Sequence, residues 1–237
     1  MKTSTILITI GFLFTLGCLT AFNYGMKESY LAGTYKSRFK DMDFTPAKGI
    51  ENIDLQSANL LGAGIEYGEK EGVWIGKRVK NNILLKIKQH TLTLDLTANS
   101  KKEGYRVWSN DIIIVTKTLN SVVAVPYFKN KNSEGMPDQG TSLKGFHQDH
   151  LDLQIGQSVS IILNDLQLNT LKATVGDKLK GGAKLVLSSN IKINTAVINV
   201  PGASSLLLLG PEILKASYSL SDSATVSLFG KTVKMIK

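Results

Sequence analysis

The chain has 237 residues, of which 43% are hydrophobic and 20% charged, so it can bury a sizeable core and is not a disordered chain. Its single cysteine, Cys18, excludes a disulfide framework and a thiolate zinc site, and three histidines leave little for imidazole-based metal chemistry. Lysine and arginine outnumber the acids 28 to 19, giving +9, but the lysines are scattered and often stand beside acids, as in Glu69-Lys-Glu71. A nucleic-acid partner is therefore not expected, since such a protein gathers its charge on one face. The excess reads as a solvated surface, with anionic lipid or polysaccharide as the second reading.

In chain order, the first element is Thr3 to Met26, which carries no charge and is rich in Ile, Leu and Phe. Its length is close to the ~20 residues that cross a hydrocarbon core. Lys2 precedes it as in a signal peptide, but a secretory apolar region is ~7–15 residues long and ends at small residues. Ending at Ala21 would put Leu19 three residues before the cut, which fits poorly. An uncleaved membrane anchor over residues 3–26, within a unit 1–27, is expected. Thr15-Leu-Gly-Cys18 loosely resembles a lipobox, but Thr15 stands where leucine is the rule and Leu16 where a small residue is usual. Cys18 then reads as a small apolar residue of the helix. Lys27, Lys36, Arg38 and Lys40 follow the helix and, counted literally, would keep the rest of the chain in the cytoplasm. The signal-like start favours the opposite side, periplasmic or extracellular.

Residues 28–46 read as a juxtamembrane spacer, either with Tyr30, Tyr35 and Phe39 among lysines at the headgroup level or, equally, as a short helical stalk. Residues 47–126 form a strand-rich region. Ile53-Asp-Leu-Gln-Ser alternates, and Gly72-Val-Trp-Ile-Gly76 is a strand bounded by glycines. Ile83 to Lys88 and Thr91 to Leu96 flank Gln89-His90 as a hairpin. Asp111-Ile-Ile-Ile-Val115 suits a strand buried on both faces, and Ser121 to Val125 ends at Pro126. Residues 127–150 hold a polar, glycine-bearing stretch without an apolar period, expected as a long exposed loop.

From Leu151 to Lys237 one pattern returns four times: Val159 to Leu163, Ala183 to Leu187, Ser204 to Leu208 and Ala224 to Leu228. With Ile161, Leu185, Leu206 and Val226 as equivalents, the spacings are 24, 21 and 20 residues. Such a period with alternating apolar positions predicts stacked β-coils, each laying an apolar ladder on the next. The expected fold is an all-β, right-handed β-solenoid or β-helix-like domain, continuous over 47–237, preceded by one transmembrane helix.

Candidates for chemistry are few. Phe146-His-Gln-Asp-His150 has ligand-like character: His147 and His150 could share a helical turn, with Asp149 or Asp152 adding an oxygen. On a regular strand, residues three apart point to opposite faces and the site would break. Trp74, Trp108, Tyr127 and Phe128, together with Tyr105, could offer stacking faces to sugar rings, though such residues are more often core or half-buried. Asp149, Asp152, Asp165 and Asp177 lie near the coils, where β-helical carbohydrate lyases and hydrolases carry paired carboxylates, but their spacing singles out no pair. No catalytic residue and no cofactor is expected from the sequence.

Thr91-Leu-Thr-Leu-Asp-Leu96, Leu119-Asn-Ser-Val122 and Ala224-Thr-Val-Ser-Leu-Phe-Gly230 resemble the bacterial head-GIN-domain family, whose members carry an auto-transporter-adhesin label, in its membrane-anchored Bacteroidetes form. The similarity runs from about Ile50 to Ile236. The Ser-Gly that opens many of the family's coils occurs here only as Pro201-Gly-Ala-Ser and Leu220-Ser-Asp-Ser. The resemblance implies a β-helix-like, non-catalytic envelope domain and carries over no functional residue. The function expected is a membrane-anchored, extracytoplasmic interaction or adhesion module facing an envelope glycan or protein. The alternative is a carbohydrate-active lyase or hydrolase.

Overall fold

An uncharged run of Ile, Leu and Phe folds as a single helix, α1 (Thr3–Leu31). The computed structural model describes residues 3–31, 37–129 and 140–230, in two units, Met1–Asp41 and Met42–Lys237. In α1 the stretch Thr5–Glu28, 24 residues, is long and apolar enough to cross a membrane. At ~1.5 Å per residue it spans about 36 Å, against ~30 Å of hydrocarbon. The hydroxyls of Thr9, Thr15 and Thr20 donate to the carbonyls of Thr5, Gly11 and Leu16, four residues back, at 2.8 to 2.9 Å. Those polar groups are therefore satisfied without water.

The second unit is built of strands. Its first half contains β1 (Met42–Pro46), β2 (Asn52–Gln56), β3 (Gly64–Tyr67), β4 (Gly72–Gly76), β5 (Ile83–Lys88) and β6 (Thr91–Leu96). A short helix α2 (Ala98–Glu103) then precedes β7 (Ile112–Thr116) and β8 (Ser121–Val125). The second half contains β9 (Gly140–Lys144), β10 (His147–Ile155), β11 (Ser160–Asn164), β12 (Gln167–Val175) and β13 (Lys184–Leu187). It ends with β14 (Lys192–Val200), β15 (Ser205–Leu208), β16 (Glu212–Leu220) and β17 (Thr225–Leu228). One sheet runs β1-β4-β7-β3-β9-β11-β13-β15-β17, the other β16-β14-β12-β10-β8-β2-β6-β5. From β8 onward, successive strands alternate between the two sheets, and both sheets contribute to one buried apolar core.

The right-handed β-solenoid expected from the spacing is corrected by this strand order. The described strands form two large mixed sheets, of nine and eight strands, in a sandwich-like arrangement. Antiparallel pairs β1–β4, β4–β7 and β5–β6 lie at one end, and β3 and β2 each neighbour strands distant in sequence, β9 and β8. A 20-residue spacing reports that equivalent strands pair in parallel, and a two-sheet sandwich satisfies that as well. The equivalents are indeed register partners: Ile161 with Leu185, Leu185 with Leu206, Leu206 with Val226. Leu185, Leu187, Leu206 and Leu208 point into the core.

The β5–β6 hairpin closes through Gln89-His90, with Gln89 at φ 54°. The β-branched strand β7 is buried along its whole length between β4 and β3. Several bounds differ from expectation. Helix α1 runs on to Leu31 and β1 begins at Met42, inside the expected spacer. The stretch expected as a loop over 127–150 contains β9 and the start of β10, while residues 130–139 lie outside the described residues. Strand β9 escapes notice because only Thr141 and Leu143 turn inward in Gly-Thr-Ser-Leu-Lys. Helix α2 and the 3-10 turn Lys80–Asn82 are too short to show a helical period.

Candidate functional site

Two hydrogen-bonding hubs create a pocket beside α2. The first is Asp95, which alternates outward on β6 and so reaches the turn that leaves β2. Its Oδ1 accepts from the Ser57 hydroxyl (2.8 Å) and the Leu96 amide (2.8 Å), and its Oδ2 from Lys101 Nζ (2.6 Å). The second is Asn59, in the turn that Ser57 opens at φ 58°. Its Nδ2 donates to the Tyr127 carbonyl (2.9 Å), and its Oδ1 accepts from the Tyr127 amide (2.8 Å). Asn59 therefore fixes the backbone of a residue 68 positions away, just after Pro126 ends β8.

Between these anchors α2 is a compact insert. The Thr97 hydroxyl accepts from the Ser100 amide at its start, satisfying one of the orphan donors of a helix N-terminus. At its end Gly104, at φ 69°, donates to the Lys101 carbonyl and Tyr105 to the Ser100 carbonyl, a Schellman ending. That geometry holds Lys101, Lys102 and Arg106 next to Tyr127, Phe128 and Lys129. Together with Asn59, Leu60, Glu103 and Gly104, these residues line a pocket of about 310 Å3. Lys101 Nζ lies 5.4 Å from the Tyr127 ring centroid, and Lys180 Nζ lies 5.8 Å from that of Phe128. Lys129 Nζ donates to the Lys102 carbonyl at 3.3 Å. Four cations thus share the lining with one carboxylate, Glu103.

Of the four aromatic residues expected to present ligand faces, Tyr127 and Phe128 come together here. Trp74 and Trp108 lie elsewhere. Trp74, on β4, stacks against Phe44 at 4.6 Å, with Lys70 Nζ 4.6 and 4.7 Å from the two rings. Trp108 sits in the turn before β7, 57% exposed, its amide donating to Asp111 Oδ2. Tyr105 packs against the core.

His147, Asp149 and His150 all lie on β10, not on a helix. The strand is irregular. Gln148 and Leu151 both turn inward, so two consecutive residues, Asp149 and His150, face out. The same two-residue outward step recurs at Asn169-Thr170 on β12 and Asn194-Thr195 on β14. His147 and His150 are therefore both exposed despite a spacing that would split them on a regular strand. His147 and Asp149 line a polar groove with Gln167, Asn169, Lys192 and Asn194; His150 is outside that lining. Side-chain amides bridge the ladder: Asn194 donates to Asn169 (2.8 Å), and Asn169 to Asp149 (2.6 Å). Among the described residues no three His, Cys, Asp or Glu side chains converge as a metal site.

The four carboxylates weighed for glycoside chemistry are spread out. Asp165 and Asp177 stand beyond opposite ends of β12, about 30 Å apart at ~3.3 Å per residue. Asp177 accepts from the amides of Leu179 and Lys180 in its own turn, and Asp149 is held by Asn169. Asp152 faces out three residues from Asp149, about 10 Å along the strand.

Sequence reasoning missed Asn59, Lys101, Lys102, Arg106 and Lys129. A usable signal was present: Thr97-x-x-Ser100 followed by Gly104 is a start-and-stop pair for a short helix.

No family model matches the chain and no curated protein matches its sequence, so no match supports the head-GIN resemblance. Solved structures similar to it include the following two. One is a candidate adhesin from Bacteroides fragilis, with 15% identity over 78% of this chain and 95% of that one, at a TM-score of 0.44. The other is a candidate lipid-binding protein from Parabacteroides distasonis, with 13% identity over 78% and 95%, at a TM-score of 0.36.

Proposed function

We propose that the chain is a membrane-tethered binding module of a bacterial cell envelope, with α1 as an uncleaved anchor and the β unit displayed on the extracytoplasmic side. The observation that carries this reading is α1 itself. It is a helix of spanning length, with its apolar side chains on the outside and its threonine hydroxyls turned back on their own backbone. The β unit that follows has a core of its own, so it does not need α1 to bury its apolar residues. The β unit's part is to present a concave site and not to transform a substrate. That agrees with a pocket rich in cations and rings and with carboxylates spread along β12 and β10.

The test is protease digestion of intact cells and of spheroplasts carrying a C-terminal tag. Loss of the tag when the inner membrane is intact supports the displayed orientation. Protection in both, with cleavage only after lysis, places the β unit in the cytoplasm, as the basic residues Lys27, Arg38 and Lys40 would by themselves, and overturns the extracytoplasmic reading.

A further inference from the structure

We propose that the pocket between α2 and the Tyr127–Lys129 segment binds a sugar residue that carries a carboxylate, as in an acidic polysaccharide. This rests on the reading of the β unit as a binding module and names the ligand class of its site.

Lys101, Lys102, Arg106 and Lys129 share one concave lining with Glu103 as its only carboxylate. Lys101 is offset by Asp95, which holds it at 2.6 Å with both side chains about three-quarters buried. Lys102 and Lys129 are drawn together at the rim, where the Lys129 ammonium bonds the Lys102 main chain. Cations gathered in a concavity repel one another, and such a site concentrates anions by focusing the field. Two exposed lysines elsewhere are each matched by an acid: Lys80 by Asp43 and Lys117 by Glu69, each at 2.6 Å.

The rings then narrow the class. Tyr127 and Phe128 line the same space, and the Tyr127 backbone is pinned by the paired bonds from Asn59, so the start of this segment is placed before any ligand arrives. An aromatic face accepts the C–H face of a pyranose, whereas an inorganic anion has no use for it. At about 310 Å3 the pocket stands at the lower end of small-molecule sites, ~300–1,000 Å3. It therefore suits a ring-sized residue. A carboxylate on that ring would lie against Lys102 and Lys129 while the ring covers Tyr127 or Phe128.

The experiment is calorimetric titration of the full chain in an uncharged, non-glycosidic detergent. The probes are trigalacturonate, the neutral galactose trisaccharide and inorganic phosphate. Trigalacturonate is expected to bind at least tenfold more tightly than either of the others, and more weakly as salt rises. The K102Q/K129Q double variant is expected to lose at least tenfold in affinity, and Phe128→Ala a comparable amount, each with an unchanged thermal unfolding midpoint. Equal binding of the acidic and neutral trisaccharides overturns the proposal. So does phosphate binding as tightly as trigalacturonate, or an affinity that survives K102Q/K129Q. The two readings fail separately. A chain that shows no acid preference yet loses its tag to protease on spheroplasts refutes the ligand class alone. An acid-selective chain whose tag stays protected refutes the displayed orientation alone.

Discussion

Asp95 shows how one side chain can hold a site in place. It ties the turn after β2, the end of β6 and the α2 lysine through three hydrogen bonds on its two oxygens, one of them from its own chain neighbour. Replacing it with alanine strands Lys101 partly buried and frees the Ser57 hydroxyl. Asp95→Ala is therefore expected to cost about 1–3 kcal/mol, read as a lower urea midpoint with an unchanged slope. An unchanged midpoint would mean that the hub is ornamental. Exposed pairs act differently. The Lys80 ammonium bonded to Asp43 holds that carboxyl below its ordinary 3.8, and Lys117 does the same for Glu69, whose ordinary value is 4.5. A carboxyl depressed in the folded state adds stability above its unfolded value, and that gain disappears as pH falls through the folded one. Conversely, the Glu69 carboxylate raises Lys117 above 10.5, a gain lost as pH rises through the folded value. The stability difference between the native chain and D43N should therefore be present at pH 7 and vanish in strong acid. A difference independent of pH would contradict the pairing.

Elements carry the next set of consequences, and here the sequence was informative in a particular way. Ile161, Leu185, Leu206 and Val226, aligned by spacing, are neighbours in one parallel ladder. Leu206 is buried between Leu185 and Val226, whereas Leu207 turns away from the core. Leu206→Asp buries a charge with no partner and is expected to cost about 5 kcal/mol or more, enough to unfold the unit. Leu207→Asp should shift the midpoint by no more than about 1 kcal/mol. Tolerance of both substitutions in thermal unfolding would mean that the ladder is wrongly registered. The hairpin at Gln89-His90 and the buried run Ile112–Val115 were also legible, because alternation and β-branching are properties of one strand at a time. The outward step at Asp149-His150 was not. It appears only when Asn169 and Asn194 are seen to repeat it, and their amide bonds join strands 20 and 25 residues apart.

For the molecule as a whole, two things lay beyond the reach of spacing. One is how the ladders close. A 20-residue period fixes which strands pair, but the antiparallel β5–β6 hairpin and β1–β4–β7 group at one end decide that the result is two mixed sheets. The other is the pocket, whose lining comes from residues 59–60, 101–106 and 127–129. Each segment is unremarkable alone: a turn, a polar stretch of about one and a half helical turns, and the start of a loop. The Asn59 clamp on Tyr127, 68 residues away, and the Asp95 bonds to Ser57, 38 residues away, and to Lys101 hold them together, and side-chain bonds between such distant positions leave no local pattern.

A tethered β unit requires that α1 remain in place as a membrane span. The most direct measurement is the intact mass of the chain recovered from membranes after alkaline carbonate extraction. Retention in the membrane with a mass that still includes α1 is expected. Release by carbonate, or a mass lacking the residues before Cys18 with an added lipid, would show that α1 is removed and would contradict the uncleaved tether.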